Sequence, residues 1–216
     1  RTHGELVEIE APCDPVLEIP EIHRRVIAAG GPALLFSNPV GADFPLVTNL
    51  FGSRARVEMA FGHRPLDFVR RAVDLATGPD LPGLGSLWKN RDLVSQGLGL
   101  GFKHRAKGPV TEVIEDPPGL DRLPMLHCWK DDGGAFITLP LVYTEHPEHG
   151  GHNLGMYRLQ RYDDRTTGMH IQIHRGGGNH HAMAEARGEA LPATVFVGGP
   201  PALILSAIAP LPENVP

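Results

Sequence analysis

Met156-Tyr-Arg-Leu-Gln-Arg-Tyr162 and Met169-His-Ile-Gln-Ile-His174 decide how this chain is read. Side chains in both alternate in character, the period of two expected of a strand with one buried face. Phe136-Ile-Thr-Leu-Pro-Leu-Val142 and Val110-Thr-Glu-Val-Ile114 alternate too, and Pro192-Ala-Thr-Val-Phe-Val197 is a short apolar strand. The part after Gly108 is therefore predicted to be strand-rich. Only a short helix from His180 to Arg187, stopped by Gly188, and the start of another from Ala202 to Ala209 interrupt it.

Upstream the pattern is mixed. Glu5-Leu-Val-Glu-Ile-Glu10 reads as an edge strand. Asp14-Pro15 opens a helix carrying Val16, Ile19, Ile22, Val26 and Ile27, and Gly30-Gly31 ends it. Pro32 to Phe36 and Leu46 to Phe51 read as strands. Helices are predicted from Ser53 to Gly62 and from Pro65 to Ala76. The Gly- and Pro-rich stretch up to Gly108 holds the expected domain boundary. The fold class that follows is α+β, with a partial barrel in the second half.

Composition narrows the function. The chain has 216 residues, 41% hydrophobic and 21% charged, which is an ordinary globular balance. Its net charge of −5 argues against a nucleic-acid partner. Gly 26 and Pro 21, without a repeat, call for many turns. Two cysteines, Cys13 and Cys128, give no disulfide framework, so a reduced, cytoplasmic setting is expected. No apolar run approaches the roughly 18 residues of a membrane span, and no signal-peptide pattern opens the sequence. Arg1 at the start and Pro210-Leu-Pro-Glu-Asn-Val-Pro216 at the end suggest a fragment.

Seven of the 12 histidines fall between His146 and His181. Such a cluster suits a metal or proton-transfer site, and equally a solvated loop; the two readings stand level for the group. On a strand, His170, Gln172 and His174 would share one face, with Ile171 and Ile173 on the other. In Asn153-Leu-Gly-Met-Tyr-Arg158, the Asn amide oxygen can ligate a hard cation. Gly155 permits a close backbone approach, and Arg158 offers a planar donor fork. A hairpin with an exposed Arg is the plainer reading of those residues alone. Cys128 beside Trp129 reads as a buried thiol, and Asp131-Asp132 as a solvated turn.

Taken together, the motifs resemble the UbiD family of decarboxylases. The stretches that carry the resemblance are Gly31-Pro-Ala-Leu-Leu-Phe36, Asn49-Leu-Phe-Gly-Ser53, Gly134-Ala-Phe-Ile-Thr138 and Asn153-Leu-Gly-Met-Tyr-Arg158. Met169-His-Ile-Gln-Ile-His-Arg-Gly176, Gly198-Gly-Pro-Pro-Ala202 and Ala209-Pro-Leu-Pro212 continue it. The resemblance implies an N-terminal α/β domain over residues 1–105. The front half of a split β-barrel flavin-binding domain would follow over 106–216, with the C-terminal remainder absent.

The same resemblance implies prenylated FMN as cofactor with a divalent metal, Mn²⁺, and K⁺ as a further candidate ion. Asn153 and His174 are similar to the family's metal ligands. Met156, Tyr157 and Arg158 resemble one cofactor-holding segment; His170, Ile171, Gln172, Arg175 and Gly176 resemble a second. Arg158 also resembles the Arg of a Glu-Arg-Glu catalytic trio. The implied reaction is reversible, non-oxidative decarboxylation of an aromatic or α,β-unsaturated carboxylic acid. Residues 1–216 hold no counterpart of the third metal ligand or of either catalytic Glu. The implied partners are therefore the missing C-terminal half or a second chain, in a homo-oligomer, with these 216 residues alone inactive. Two alternatives are a non-catalytic flavin-domain relative acting as a binding or assembly subunit, and a His-rich metal protein without flavin.

Overall fold

The computed structural model describes residues 3–60, 70–71, 73–74, 85, 88, 91, 106–172 and 175–208. The helix expected from Pro65 to Ala76 lies largely outside them. Contacts divide the chain into two units: residues 1–60 with 118–216, and residues 61–117.

In the first unit, β1 (Leu6–Ile9) runs parallel to β2 (Ala33–Phe36), and β3 (Leu46–Thr48) runs antiparallel on the other side of β2. Helix α1 (Glu18–Ala28) places Ile19, Ile22 and Val26 on one stripe, because i, i+3 and i+7 share a face. That stripe packs with Cys13, Leu34, Phe36, Ile9, Leu46 and Leu126. Ile19 and Phe36 are fully buried. Each fully buried apolar side chain of this size stabilises the fold by about 1.5–3 kcal/mol.

Strand β3 stops short of the expected Phe51 because Asn49 takes φ 54°, a left-handed turn. The Asn49 amide then donates to the carbonyls of Gly31 and Pro32 at 3.0 and 2.8 Å, tying this turn to the start of β2. Helix α2 (Arg54–Ala60) follows. Its Arg56 is buried and pairs with Glu5 at 2.6 Å.

The later residues of the unit form two antiparallel three-stranded sheets. One has the order β4 (Phe136–Ile137), β7 (Leu159–Arg161), β8 (Thr167–Met169). The other has β6 (His152–Met156), β5 (Pro140–Glu145), β9 (Ala193–Val197). Leu141 and Val142 of the central strand β5 are fully buried. Helix α3 (Gly176–Ala186) packs against β5 and β6. It starts four residues earlier than the sequence suggests and ends where Gly188 takes φ 67°. A short α4 (Pro201–Ser206) closes the described chain, with prolines at its first turn.

Three expected strands are corrected. Phe136 to Val142 is not one strand: the chain leaves the first sheet at Thr138-Leu139 and enters the second at Pro140. Proline is tolerated there because a first strand residue need not donate to the ladder. Met156 to Tyr162 is likewise divided at Tyr157-Arg158. Of the strand expected from Met169 to His174, the described residues His170 to Gln172 are not strand. β8 pairs with β7 only as far as Met169 opposite Leu159. Past Leu159 the partner strand turns away, so His170 keeps a single backbone bond, to the Arg158 carbonyl at 3.1 Å. His170 and Gln172 therefore do not share a strand face, and His174 lies outside the described residues.

In the second unit, Val110 to Ile114 is also not a strand. Pro109–Thr111 is a 3₁₀ turn, fixed by Pro109 and by two bonds between the Thr111 hydroxyl and the Gly108 backbone, at 3.1 and 2.9 Å. Val110, Val113 and Ile114 are exposed.

Candidate functional site

Strand β6 presents Asn153, and the turn after it presents Tyr157. The ring of Tyr157 folds back over Gly155: a Cβ at 155 would lie 2.6 Å from it. Only glycine lets the ring lie there. The buried Tyr157 hydroxyl then accepts two bonds, from the Asn153 amide at 3.2 Å and from the Gly177 backbone N–H at 3.0 Å. Gly177 is the second residue of α3, so this bond uses one of the donors a helix leaves free at its N-terminus.

Glycines make that junction tight. A Cβ on Gly176 would overlap the Asn153 carboxamide, and one on Gly177 would sit 2.9 Å from the Tyr157 oxygen. Arg175 precedes the helix in extended backbone with no capping side chain. The result is an amide oxygen, a phenol and a helix N-terminus brought together. A helix start of this kind carries a partial positive charge and free N–H groups, which suit an anion such as phosphate.

Asn153 pairs in register with Thr144 of β5. The Thr144 hydroxyl lies 2.9 Å from His180 Nδ1, and both are buried. Burial first, and then the neighbouring His146 and His149, hold His180 below the ordinary imidazole pKa. The His146 and His149 rings stack at 3.4 Å, and His146 meets His180 edge-on at 5.3 Å. Three of the histidines thus gather around one loop, while His152 lies beside Tyr143 and His170 and His181 are exposed. Among the described residues, no group of three or more His, Cys, Asp or Glu is arranged to hold a metal ion.

Arg158 belongs to a different group. Its guanidinium lies over the Phe136 ring at 3.6 Å and bonds Asp132 at 2.9 Å. Asp132 is only 16% exposed, so it is not the solvated turn residue expected from the sequence. Cys128 adjoins this pair, and burial pushes its thiol pKa up, as suits a thiol rather than a nucleophile.

The expected site residues thus separate. Asn153, Tyr157 and Gly176 come together with Gly177, and with Thr144, which the sequence did not single out. Met156 pairs with Leu141 in the sheet. Ile171 and the Gln172 carbonyl press against Gly178, and Arg175 N–H donates to that carbonyl at 3.3 Å. His174 lies outside the described residues. Thr144 and Asp132 gave no sequence signal, because each acts through a partner distant in the chain.

Residues 103–216 match the family described as UbiD: 3-octaprenyl-4-hydroxybenzoate carboxy-lyase Rift-related domain. The chain belongs to the UbiD family. Residues 1–76 match the UbiD N-terminal domain. Among curated UbiD-like relatives, an uncharacterized protein of Chlamydia trachomatis serovar D is 52% identical over 217 residues, covering 100% of this chain and 37% of its own length. A Chlamydia pneumoniae protein, named as one of the subunits of a 4-hydroxybenzoate decarboxylase, is 49% identical over 215 residues, covering 100% of this chain and 36% of its own. Among solved structures, an evolved dimeric form of the UbiD-class enzyme HmfF from Pelotomaculum thermopropionicum, in complex with prFMN, superposes with TM-score 0.77. It is 23% identical and covers 99% of this chain and 46% of that one. The chain thus spans less than half the length of these relatives, and it shares the mixed α+β fold of the solved structure.

Proposed function

We propose that this chain is the N-terminal and front flavin-domain portion of a UbiD-like decarboxylase. Residues 1–105 and 106–216 are its two domains, the second part of a split β-barrel. The enzyme acts reversibly, without net oxidation, on an aromatic or α,β-unsaturated carboxylic acid, with prenylated FMN and a divalent metal, Mn²⁺, with K⁺ as a further candidate. The rest of the catalytic machinery comes from a C-terminal portion or a second chain, in a cytoplasmic homo-oligomer.

The observation that carries this reading is the junction of Asn153, Tyr157 and Gly177 at the start of α3, in a chain of this family. It suits the cofactor phosphate: free helix N–H groups meet an anion, and the amide oxygen of Asn153 is a hard donor for a cation beside it. Among the described residues no group of three or more His, Cys, Asp or Glu is arranged to hold the metal, and Asn153 is the ligand assigned from them. His174 is assigned as the second ligand and awaits a Glu from elsewhere.

Bound there, a prenylated flavin supplies the electron sink for the pair left when CO₂ departs. The chain's own residues orient it. Tyr157 fixes Asn153 and the helix start; Met156 and Arg158 flank that turn. The Arg175 N–H donates to the Gln172 carbonyl ahead of α3, with His170 and Ile171 preceding Gln172. Arg158, held by Phe136 and Asp132, directs a guanidinium toward the substrate carboxylate.

Native and denaturing mass spectrometry of the full-length protein, loaded with prenylated FMN and Mn²⁺, tests the reading. One cofactor and one metal per protomer, with exchange of labelled CO₂ into 4-hydroxybenzoate or another aromatic acid, is the expected result. Absence of cofactor uptake after loading defeats it.

A further inference from the structure

A groove of about 670 Å³ runs between α1 and β3, closed on its other side by residues 126–130 and 138–139. None of Asn153, Tyr157, Arg158 or Gly176 lines it. Its size is that of an ordinary small-molecule pocket, roughly 300–1,000 Å³. Leu17, Pro20, Ile27, Leu46, Leu126 and Leu139 give it apolar walls.

Three buried polar atoms break that lining. His23 Nδ1, Thr48 Oγ1 and Asn49 Oδ1 are buried and have no hydrogen-bond partner, and all three residues line the groove. Thr48 is 8% exposed, and its neighbour in register is the apolar Leu34. Their placement follows from the elements. His23 lies one turn beyond Ile19 on the buried stripe of α1, and Thr48 shares a strand face with Leu46. A buried polar group left unpaired costs free energy, so native structures rarely keep one without a partner to meet it.

The ligand chemistry can be read from these three atoms. Burial lowers the His23 pKa, which favours the neutral ring, and Nδ1 of that ring donates or accepts according to tautomer. Thr48 also does either, and Asn49 Oδ1 accepts. A hydroxyl group answers all three, because it donates and accepts. The charged residues of the lining are at the mouth: Arg24 and Lys130 are exposed, and Glu21 is bonded to Arg24 at 2.7 Å. Trp129, 65% exposed, offers an aromatic face at the same rim. We propose that this groove is a second ligand site, which takes a small uncharged ring compound carrying a hydroxyl.

Crystals of the full-length protein soaked with 4-bromophenol at neutral pH provide the test. The expected result is an anomalous bromine peak in the groove, with the phenol oxygen in hydrogen-bond reach of His23 or Thr48. In solution, calorimetry should show phenol binding at least tenfold more tightly than toluene. Thr48→Val, nearly isosteric, and His23→Leu should each erase that preference, whereas His23→Gln should retain part of it. Tyr157→Phe, in the cofactor region, should leave phenol binding unchanged, so this inference and the decarboxylase reading fail separately. The proposal is overturned if no bromine enters the groove, if ordered water or another stretch of polypeptide fills it, or if Thr48→Val binds phenol as the parent does.

Discussion

The backbone N–H of Gly177 donates to the Tyr157 hydroxyl at 3.0 Å, so a phenol twenty residues upstream serves as the cap of α3. No Ser, Thr, Asp or Asn stands at the position before the helix, where a cap is normally found; Arg175 is there. Tyr157→Phe removes the acceptor and strands two donors, Gly177 N–H and the Asn153 amide. The loss should be about 1–3 kcal/mol in chemical denaturation of the full-length protein. Flavin affinity should fall as well, since the helix start and Asn153 lose their common anchor.

Gly176→Ala should separate binding from stability. The new methyl meets the Asn153 carboxamide and must displace it. Mn²⁺-dependent retention of flavin should drop roughly tenfold, equivalent to about 1.4 kcal/mol. Gly188→Ala is the contrast. It strains a left-handed C-terminal residue at φ 67° with open space around it, so it should lower the melting temperature and leave flavin retention intact.

Acid should weaken the fold through two histidines. Burial lowers the folded-state pKa of His180 and of His23 below the ordinary value of 6.5. The unfolded chain therefore binds protons that the folded chain refuses. Their contribution is fully present above pH 6.5 and is lost as pH falls through the depressed folded values. Denaturation midpoints measured from pH 8 to 5 should fall, and His180→Asn should flatten the slope. An unchanged slope in that variant would remove His180 from the account.

Arg158 should tolerate little. Arg158→Lys keeps the charge but loses the flat stack on Phe136 and the fork that reaches Asp132. We expect decarboxylation by the full-length enzyme to fall at least a hundredfold, with stability changed by less than about 1 kcal/mol, because the ion pair is partly exposed. Asp132→Asn should cost less activity, about tenfold, and act on KM and kcat together by letting Arg158 wander.

The first sheet was largely legible in the sequence because its punctuation is local. Gly30-Gly31 ends α1, Pro32 leads into β2, and apolar residues recur at helical or strand spacing between them. The later sheets were less so. Alternation runs unbroken through Thr138-Leu139 and through Tyr157-Arg158, yet the chain changes sheet at both points. Period two reports the pleat and not the partner. The same ambiguity misplaced His170 and Gln172, which alternate correctly beyond the end of their ladder. At the candidate site, Asn153 and Tyr157 were visible through the family's motif. Asp132 and Thr144 were not, since an ion pair across 26 residues and a hydroxyl–imidazole contact across 36 leave no local trace.

The three glycines around Tyr157 carry a genetic consequence. At positions 155, 176 and 177 the space a Cβ would take already holds the Tyr157 ring or the Asn153 amide. Every amino acid that replaces glycine brings a Cβ, so every missense change in those three codons, however conservative, places carbon in occupied volume. A saturation library scored by flavin retention should therefore show three depleted columns, beside exposed neighbours that accept almost any.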